Sequence, residues 1–105
     1  MIKDEFEKIV AELEATDMNN SDAVDVLWNK EIKLFTEDIN STIEFVKNDC
    51  TANQFSWMSE VWDDIVEKTK SREFIDVLRE TAKKFPEECA KYNIQGAIES
   101  AEGYL

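Results

Sequence analysis

The sequence of 105 residues contains no histidine, two glycines, one proline and two cysteines. Histidine is the commonest general base near neutral pH and the commonest metal ligand, so its absence disfavours most enzymatic and metal-site chemistry. The two glycines, Gly96 and Gly103, are too few for a glycine-rich phosphate-binding loop or a nucleophile elbow. We therefore expect a protein that is not an enzyme, with no catalytic residue, no cofactor and no bound metal.

The scarcity of glycine and proline also bears on the fold. An all-β chain of this length would need many more turn residues, whereas good helix formers such as Glu, Lys and Ala are plentiful. A chain of 105 residues is long enough to bury one hydrophobic core without metals or disulfides. The sequence predicts a single all-helical domain over residues 1–105, an all-α compact bundle of five to six helices.

Residues 22–46 are the stretch around which this bundle is expected to form. Ser41 and Glu44 fit a capping box, which allows the element to bend or restart there. The apolar residues nevertheless recur at steps of three and four throughout, as on one face of an amphipathic helix. We therefore predict one long central helix at about residues 22–47. Its apolar stripe consists of Val24, Trp28, Ile32, Phe35, Ile39, Ile43 and Val46.

Capping residues and apolar periodicity predict the remaining helices. Ser71 is a suitable N-cap, Pro86 suits a first helical position, and Asn93 can close a helix in the left-handed conformation. Gly103 is expected to follow the last helix as its C′ residue. The predicted helices span residues 2–15, 56–69, 71–84, 86–92 and 94–101.

The charge of the chain is strongly negative and unevenly distributed. The formal net charge is −12; residues 1–70 hold 7 basic and 17 acidic side chains, and residues 71–105 hold 5 and 7. Such a field repels nucleic acid and anionic membranes and accelerates association with a basic protein. Acidic charge also serves solubility alone. We expect a basic protein partner and neither nucleic acid nor membrane.

The beginning of the sequence and its lack of long apolar runs bear on localisation. Charged residues follow the first two positions directly, and no apolar run reaches about 18 residues. These features argue against a signal peptide and against a membrane-spanning helix. The expected localisation is therefore cytoplasmic.

Two acidic segments raise the question of a metal site. Residues 49–60 follow the register of a calcium-binding EF-hand loop, but position 6, which requires glycine, is Gln54. The carboxylates at 60, 63, 64 and 67 have helical spacing, yet helical di-metal sites combine glutamate with histidine. An interhelical loop and a solvated acidic face are the better interpretations.

Aromatic and acidic residues stand side by side in the segment 56–69. Trp57 and Trp62 lie in the same short segment as the carboxylates at 60, 63 and 64. Aromatic side chains surrounded by charged ones are typical of interaction hot spots. The alternative is that both indoles belong to the core. A second acidic pair lies on the polar side of the long helix. The predicted partner-binding residues are Glu37, Asp38, Glu60, Trp62, Asp63 and Asp64.

Two segments carry a resemblance to a known family. They are residues 57–64 (Trp-Met-Ser-Glu-Val-Trp-Asp-Asp) and 83–94 (Lys-Lys-Phe-Pro-Glu-Glu-Cys-Ala-Lys-Tyr-Asn-Ile). In a small, strongly acidic, all-helical chain, they resemble the immunity proteins of bacterial polymorphic toxin and contact-dependent inhibition systems. The resemblance is one of overall character. The paired tyrosines of helical colicin immunity proteins have no counterpart, so no contact residue is transferred.

The resemblance implies a function. Immunity proteins of this kind bind a cognate toxin domain, often a cationic nuclease, and block its active site or a neighbouring exosite. This chain would then neutralise a basic toxin domain and act as a monomer in the complex. The alternative is a homodimeric helical adaptor or regulatory subunit without catalytic activity, which shares its first helix with a second copy.

Overall fold

The computed structural model of the chain describes residues 2–17 and 19–105. These residues form a compact all-helical structure without strands, which confirms the predicted fold class. The helices are more numerous than the five to six expected. They are α1 (Ile2–Ala15), α2 (Ser21–Glu37), α3 (Ile39–Asn48), α4 (Ala52–Met58), a 3-10 turn (Ser59–Val61), α5 (Trp62–Thr69), α6 (Arg72–Ala82), α7 (Pro86–Tyr92) and α8 (Ile94–Glu102).

The prediction of one long central helix is wrong, because the chain breaks at Asp38. Its backbone is extended (φ −146°, ψ 96°), and its side chain caps α3 by accepting hydrogen bonds from the N–H groups of Asn40 and Ser41. The buried hydroxyl of Thr42 donates to the carbonyl of Phe35 at 2.7 Å, near the end of α2. These bonds satisfy helix-end groups that a continuous helix would pair internally. The cap lies three residues before the predicted restart.

The apolar stripe survives this break because α2 and α3 both turn a face to the same core. Phe35 of α2 and Phe45 of α3 are buried around Phe6 of α1. The ring of Phe6 meets Phe35 edge-on at 4.9 Å and Phe45 at 5.8 Å between centroids. Edge-to-face aromatic pairs of this kind add to the free energy of apolar burial. The apolar periodicity across residues 22–46 therefore arises because α2 and α3 both pack against the same core. It does not show that they form one continuous helix.

The helix predicted over residues 56–69 is divided. Thr51 forms a capping box with Gln54 at 3.0 and 3.1 Å, so α4 begins earlier than expected. The 3-10 turn then separates α4 from α5. Trp62 begins α5 and packs against Phe55, with 4.9 Å between ring centroids. The division turns Trp62 into the core.

The carboxyl-terminal helices largely follow the sequence predictions. Ser71 caps α6 by accepting a hydrogen bond from the N–H of Phe74, Pro86 begins α7, and Asn93 is left-handed (φ 52°). Gly103 follows the end of α8 as expected, with a right-handed φ of −62°. Among the described residues, none of the helices combines the length and apolar character needed to span a lipid bilayer.

Candidate protein-binding surface

A groove lies where the start of α1 meets the α2–α3 corner. Its volume is about 590 Å³. We call it the corner groove; its lining consists of Ile2, Lys3, Glu5, Leu34, Glu37, Asp38, Asn40, Ser41, Glu44, Phe45 and Asp49. Five of these side chains are carboxylates and one is an ammonium. Apolar side chains from three helices complete the lining, so the groove combines an apolar floor with an acidic rim.

The floor of the corner groove is supplied by residues that also belong to the core. Ile2 and Leu34 are half-buried and pack against the core, and Phe45 is buried within it. Ile2 comes from the first turn of α1, Leu34 from the last turns of α2, and Phe45 from α3. A floor built from packed helical residues is held in place before a partner arrives, which lowers the entropic cost of binding.

The rim is held by the same bonds that break the long helix. Hydrogen bonds from the hydroxyl and N–H of Ser41 lower the pKa of Asp38 below its usual value, so this carboxylate is ionised at neutral pH. Glu44 accepts a hydrogen bond from the side-chain amide of Asn48 at 2.9 Å. Glu37 is exposed beside Asp38. The helix break thus places Glu37 and Asp38, two predicted site residues, on one rim.

A second groove lies on the other side of α3 and shares Glu44 with the corner groove. It has a volume of about 430 Å³ between α3 and α6. Of its acidic residues, Asp76 pairs with Arg72 at 3.7 Å and Glu80 pairs with Lys83 at 3.1 Å. These ion pairs partly neutralise the second groove. The corner groove is therefore the better candidate for a basic partner.

The remaining predicted site residues lie elsewhere. Glu60 is exposed and lines a separate groove of about 310 Å³, which shares no residue with the corner groove. Asp64 is exposed on α5, whereas Asp63 accepts a hydrogen bond from the hydroxyl of Ser100 at 3.1 Å and thereby links α5 to α8. The six predicted residues therefore do not line one groove.

Trp62 requires a correction. Its relative exposure is 0%, and it is among the largest fully buried side chains of the core. It therefore cannot serve as a surface anchor in this structure. Trp57, five residues earlier, is half-buried and lines the same groove as Glu60 and Tyr92. Trp28, expected in the core, is half-buried and packs against it.

One carboxyl group that the sequence analysis missed lies inside the protein. Glu31 of α2 has 0% relative exposure, and neither carboxyl oxygen has a hydrogen-bond partner among the described residues. Burial raises the pKa of Glu31 to about 8, and the negative charge of Glu60 adds to this effect. The available signal was spacing, since Glu31 stands four residues from both Leu27 and Phe35, which are buried on the same face of α2.

Two arginines of the carboxyl-terminal third form ion pairs within the chain. Arg79 donates two hydrogen bonds to the carboxylate of Glu102, at 2.7 and 3.0 Å, and Arg72 pairs with the same carboxylate at 3.0 Å. These contacts connect α6 to the end of α8. The guanidinium of Arg79 is therefore used within the fold.

Residues 2–17 and 19–105 contain no group of three or more Cys, Asp or Glu side chains placed to hold a metal ion. Comparison of the chain with protein-family models, with curated proteins and with solved structures found no match. The geometry of the corner groove is therefore the observation from which a function has to be argued.

Proposed function

We propose that this chain is an acidic helical protein-binding module that captures a basic protein domain in the corner groove. We further propose that this domain is a bacterial toxin, possessing a cationic surface, and that the chain is its immunity protein. One observation carries the proposal: the half-buried apolar side chains of Ile2 and Leu34 line the same groove as exposed carboxylates.

The two parts of the groove support different parts of a binding reaction. Exposed carboxylates attract a basic surface from a distance and raise the association rate, most strongly at low salt. Apolar side chains buried on contact supply most of the affinity and slow dissociation. An inhibitor has to reach its toxin before damage occurs, so a fast association rate suits the proposed role.

The functional experiment is co-expression in bacteria. The product of the neighbouring upstream gene is expressed alone and together with this chain, and growth is measured. The expected result is toxicity alone, rescue by this chain, and a one-to-one complex by sedimentation. A non-toxic product that does not bind would overturn the immunity proposal. A homodimer without a basic partner would instead favour the adaptor alternative.

The corner groove is tested by kinetics with the partner so obtained. The double variant Glu37→Gln/Asp38→Asn removes two rim charges, while the introduced asparagine side chain can still cap α3. Association at low ionic strength should slow by roughly tenfold, and the difference should shrink in about 0.5 M salt. The matched control is Glu87→Gln/Glu88→Gln, which removes two charges from α7. If both double variants slow association equally, the effect comes from the net charge of the chain and not from the corner groove.

The exposed carboxylates of Glu60 and Asp64 allow the alternative binding surface to be tested. Glu60→Gln combined with Asp64→Asn removes two exposed charges outside the corner groove. If this variant slows association and the Glu37/Asp38 variant does not, the partner binds near α5 and the corner-groove proposal is wrong. Asp63 is left unchanged because its carboxylate holds Ser100.

The adaptor alternative required an apolar face of α1 that could be shared with a second copy. In the structure this face is buried against its own chain, through Phe6, Ile9, Val10 and Leu13. The geometry of α1 therefore offers no specific observation in favour of a homodimer. The corner groove therefore remains the feature that supports the proposed function.

A further inference from the structure

The buried carboxyl group of Glu31 is not used by the proposed binding function. It lies on α2, which packs against α1, α3, α5 and the 3-10 turn, and it lines neither the corner groove nor the groove at Glu60. Buried polar groups in native proteins are normally hydrogen-bonded, so an unpartnered carboxyl group calls for an explanation. Glu31 is therefore a feature of the fold that needs its own account.

The surroundings of Glu31 favour the neutral acid. A carboxylate loses its hydration on burial, and here no donor among the described residues replaces the lost water. The indole N–H groups of Trp28 and Trp62 are also buried and bond to no described residue, so neither donates to Glu31. Ionisation would therefore leave an unsolvated charge in the core.

The charged groups on the elements packed against α2 do not offset this cost. Glu60, on the 3-10 turn, is the group whose charge acts on Glu31, and its sign opposes ionisation. The charged side chains of α1, α3 and α5 are exposed or half-exposed. Four of these carboxylates have described partners elsewhere: Glu12 pairs with Lys30, Glu14 accepts a hydrogen bond from Asn53, Glu44 from Asn48 and Asp63 from Ser100.

We propose that Glu31 is a proton-dependent switch of the fold. The neutral acid permits the packing of α2 in the core beside the 3-10 turn that carries Glu60, and loss of its proton on passing from acidic to mildly alkaline pH loosens that packing. The inference concerns the isolated chain and does not depend on the proposed partner. It can therefore fail while the binding proposal stands, and the reverse also holds.

The chain is unusually suited to a test because it lacks histidine. Between about pH 5 and 8 the ordinary carboxylates are already ionised and lysine and arginine remain protonated. The thiols of the unfolded chain titrate above this interval, and burial raises the pKa of both Cys50 and Cys89 in the folded state. Glu31 is the group whose pKa, raised to about 8 by burial, brings its titration into this range.

The sign of the effect follows from proton binding. Between about pH 5 and 8 the folded state holds a proton at Glu31 that the unfolded state has released. Stability therefore falls as the pH rises, and the unfolding equilibrium constant should increase by up to about tenfold per pH unit. Above the titration range of the folded state the dependence on Glu31 disappears, since both states are then ionised.

The experiment measures urea unfolding of the wild type and of Glu31→Gln at intervals from about pH 5 to 8. The wild type should show the increase just described, and Glu31→Gln should be nearly independent of pH. The matched control Glu67→Gln, an exposed carboxylate on α5, should behave as the wild type does. A wild type without pH dependence, or a Glu31→Gln variant that retains it, would overturn the proposal.

A second measurement keeps the proposal testable if Glu31→Gln does not fold. The carboxyl ¹³C resonance of Glu31 in the folded wild type is followed by NMR between about pH 4 and 9.5. Its midpoint should lie well above that of an exposed glutamate, and Glu60→Gln should lower it because the neighbouring negative charge is removed. A midpoint in the ordinary glutamate range would refute the switch.

Discussion

Replacement of Glu31 by methionine should make the protein more stable at pH 7. Methionine is unbranched and of similar length to glutamate, and its thioether has no ionisable group. In the unfolded chain Glu31 ionises near its ordinary pKa of 4.5, whereas burial raises this pKa to about 8 in the folded state. At pH 7 folding must therefore take up a proton, and the variant removes that requirement.

The size of the gain follows from the difference between pH 7 and the ordinary pKa of glutamate. Each unit of this difference corresponds to about 1.36 kcal/mol, so proton uptake at Glu31 costs about 3 kcal/mol at pH 7. The unpartnered neutral carboxyl group adds an unsatisfied polar burial of about 1 kcal/mol or more. We expect Glu31→Met to raise the free energy of unfolding by at least about 3 kcal/mol and Tm by roughly 15 °C.

Urea unfolding followed by circular dichroism provides the assay, at pH 7 and at pH 4.5. The gain should shrink at pH 4.5 to about 1 kcal/mol, because the unfolded state is then half protonated as well. Glu67→Met, on the exposed face of α5, is the control and should change stability by less than about 0.5 kcal/mol. An equal gain at both pH values, or no gain at pH 7, would refute the reasoning.

Two further predictions concern the break between α2 and α3. Asp38→Ala removes the cap of α3 and should lower the urea midpoint of unfolding, whereas Asp38→Asn should lower it clearly less because asparagine also caps helices; equal losses would show that charge and not capping matters. Thr42→Val leaves the buried carbonyl of Phe35 without its donor and should cost about 1–3 kcal/mol, with Thr42→Ser as the less harmful control; a neutral Thr42→Val variant would contradict the role of this bond.

The predictable parts of the fold are those governed by local physics. The bounds of α1, the cap at Ser71, the start of α7 at Pro86 and the left-handed Asn93 all follow from residues within one turn of the feature they determine. Each of these signals acts through the backbone of its own segment. Packing against distant helices leaves such signals intact, so the sequence alone reveals them.

The break at Asp38 depends on the competition between two signals. Apolar periodicity favours a continuous helix, but it is equally satisfied by two helices that face one core. The hydrogen bonds of Asp38 and Thr42 decide between them, and the second reaches a carbonyl seven residues away. Composition and periodicity cannot register such a bond. The sequence therefore indicates the acidic pair Glu37 and Asp38 but not the groove that these two residues line.

Burial of polar and amphipathic residues was the other part that sequence could not determine. Trp62 and Glu31 both suit a surface by type, and only the three-dimensional packing, in which both are fully buried, shows them to be internal. An indole can face either way, because its ring is apolar and its N–H is polar. A glutamate is almost never fully buried without a partner. Sequence-based reasoning therefore errs at such positions.

The helix break and the corner groove are a single feature of the chain. A continuous helix over residues 22–47 would carry Asp38 as one more exposed side chain and would leave no corner beside α1. The break ends α2 at Glu37 and begins α3 at Ile39, and Glu37, Asp38 and Leu34 line the same groove. The carboxylate oxygens of Asp38 accept hydrogen bonds that cap α3, so its charge would act on a basic partner mainly through long-range electrostatic attraction. Glu37 is exposed and forms no bond among the described contacts. Under the proposed function, direct contact with a cationic side chain is therefore expected at Glu37, while Asp38 caps α3 and holds the corner.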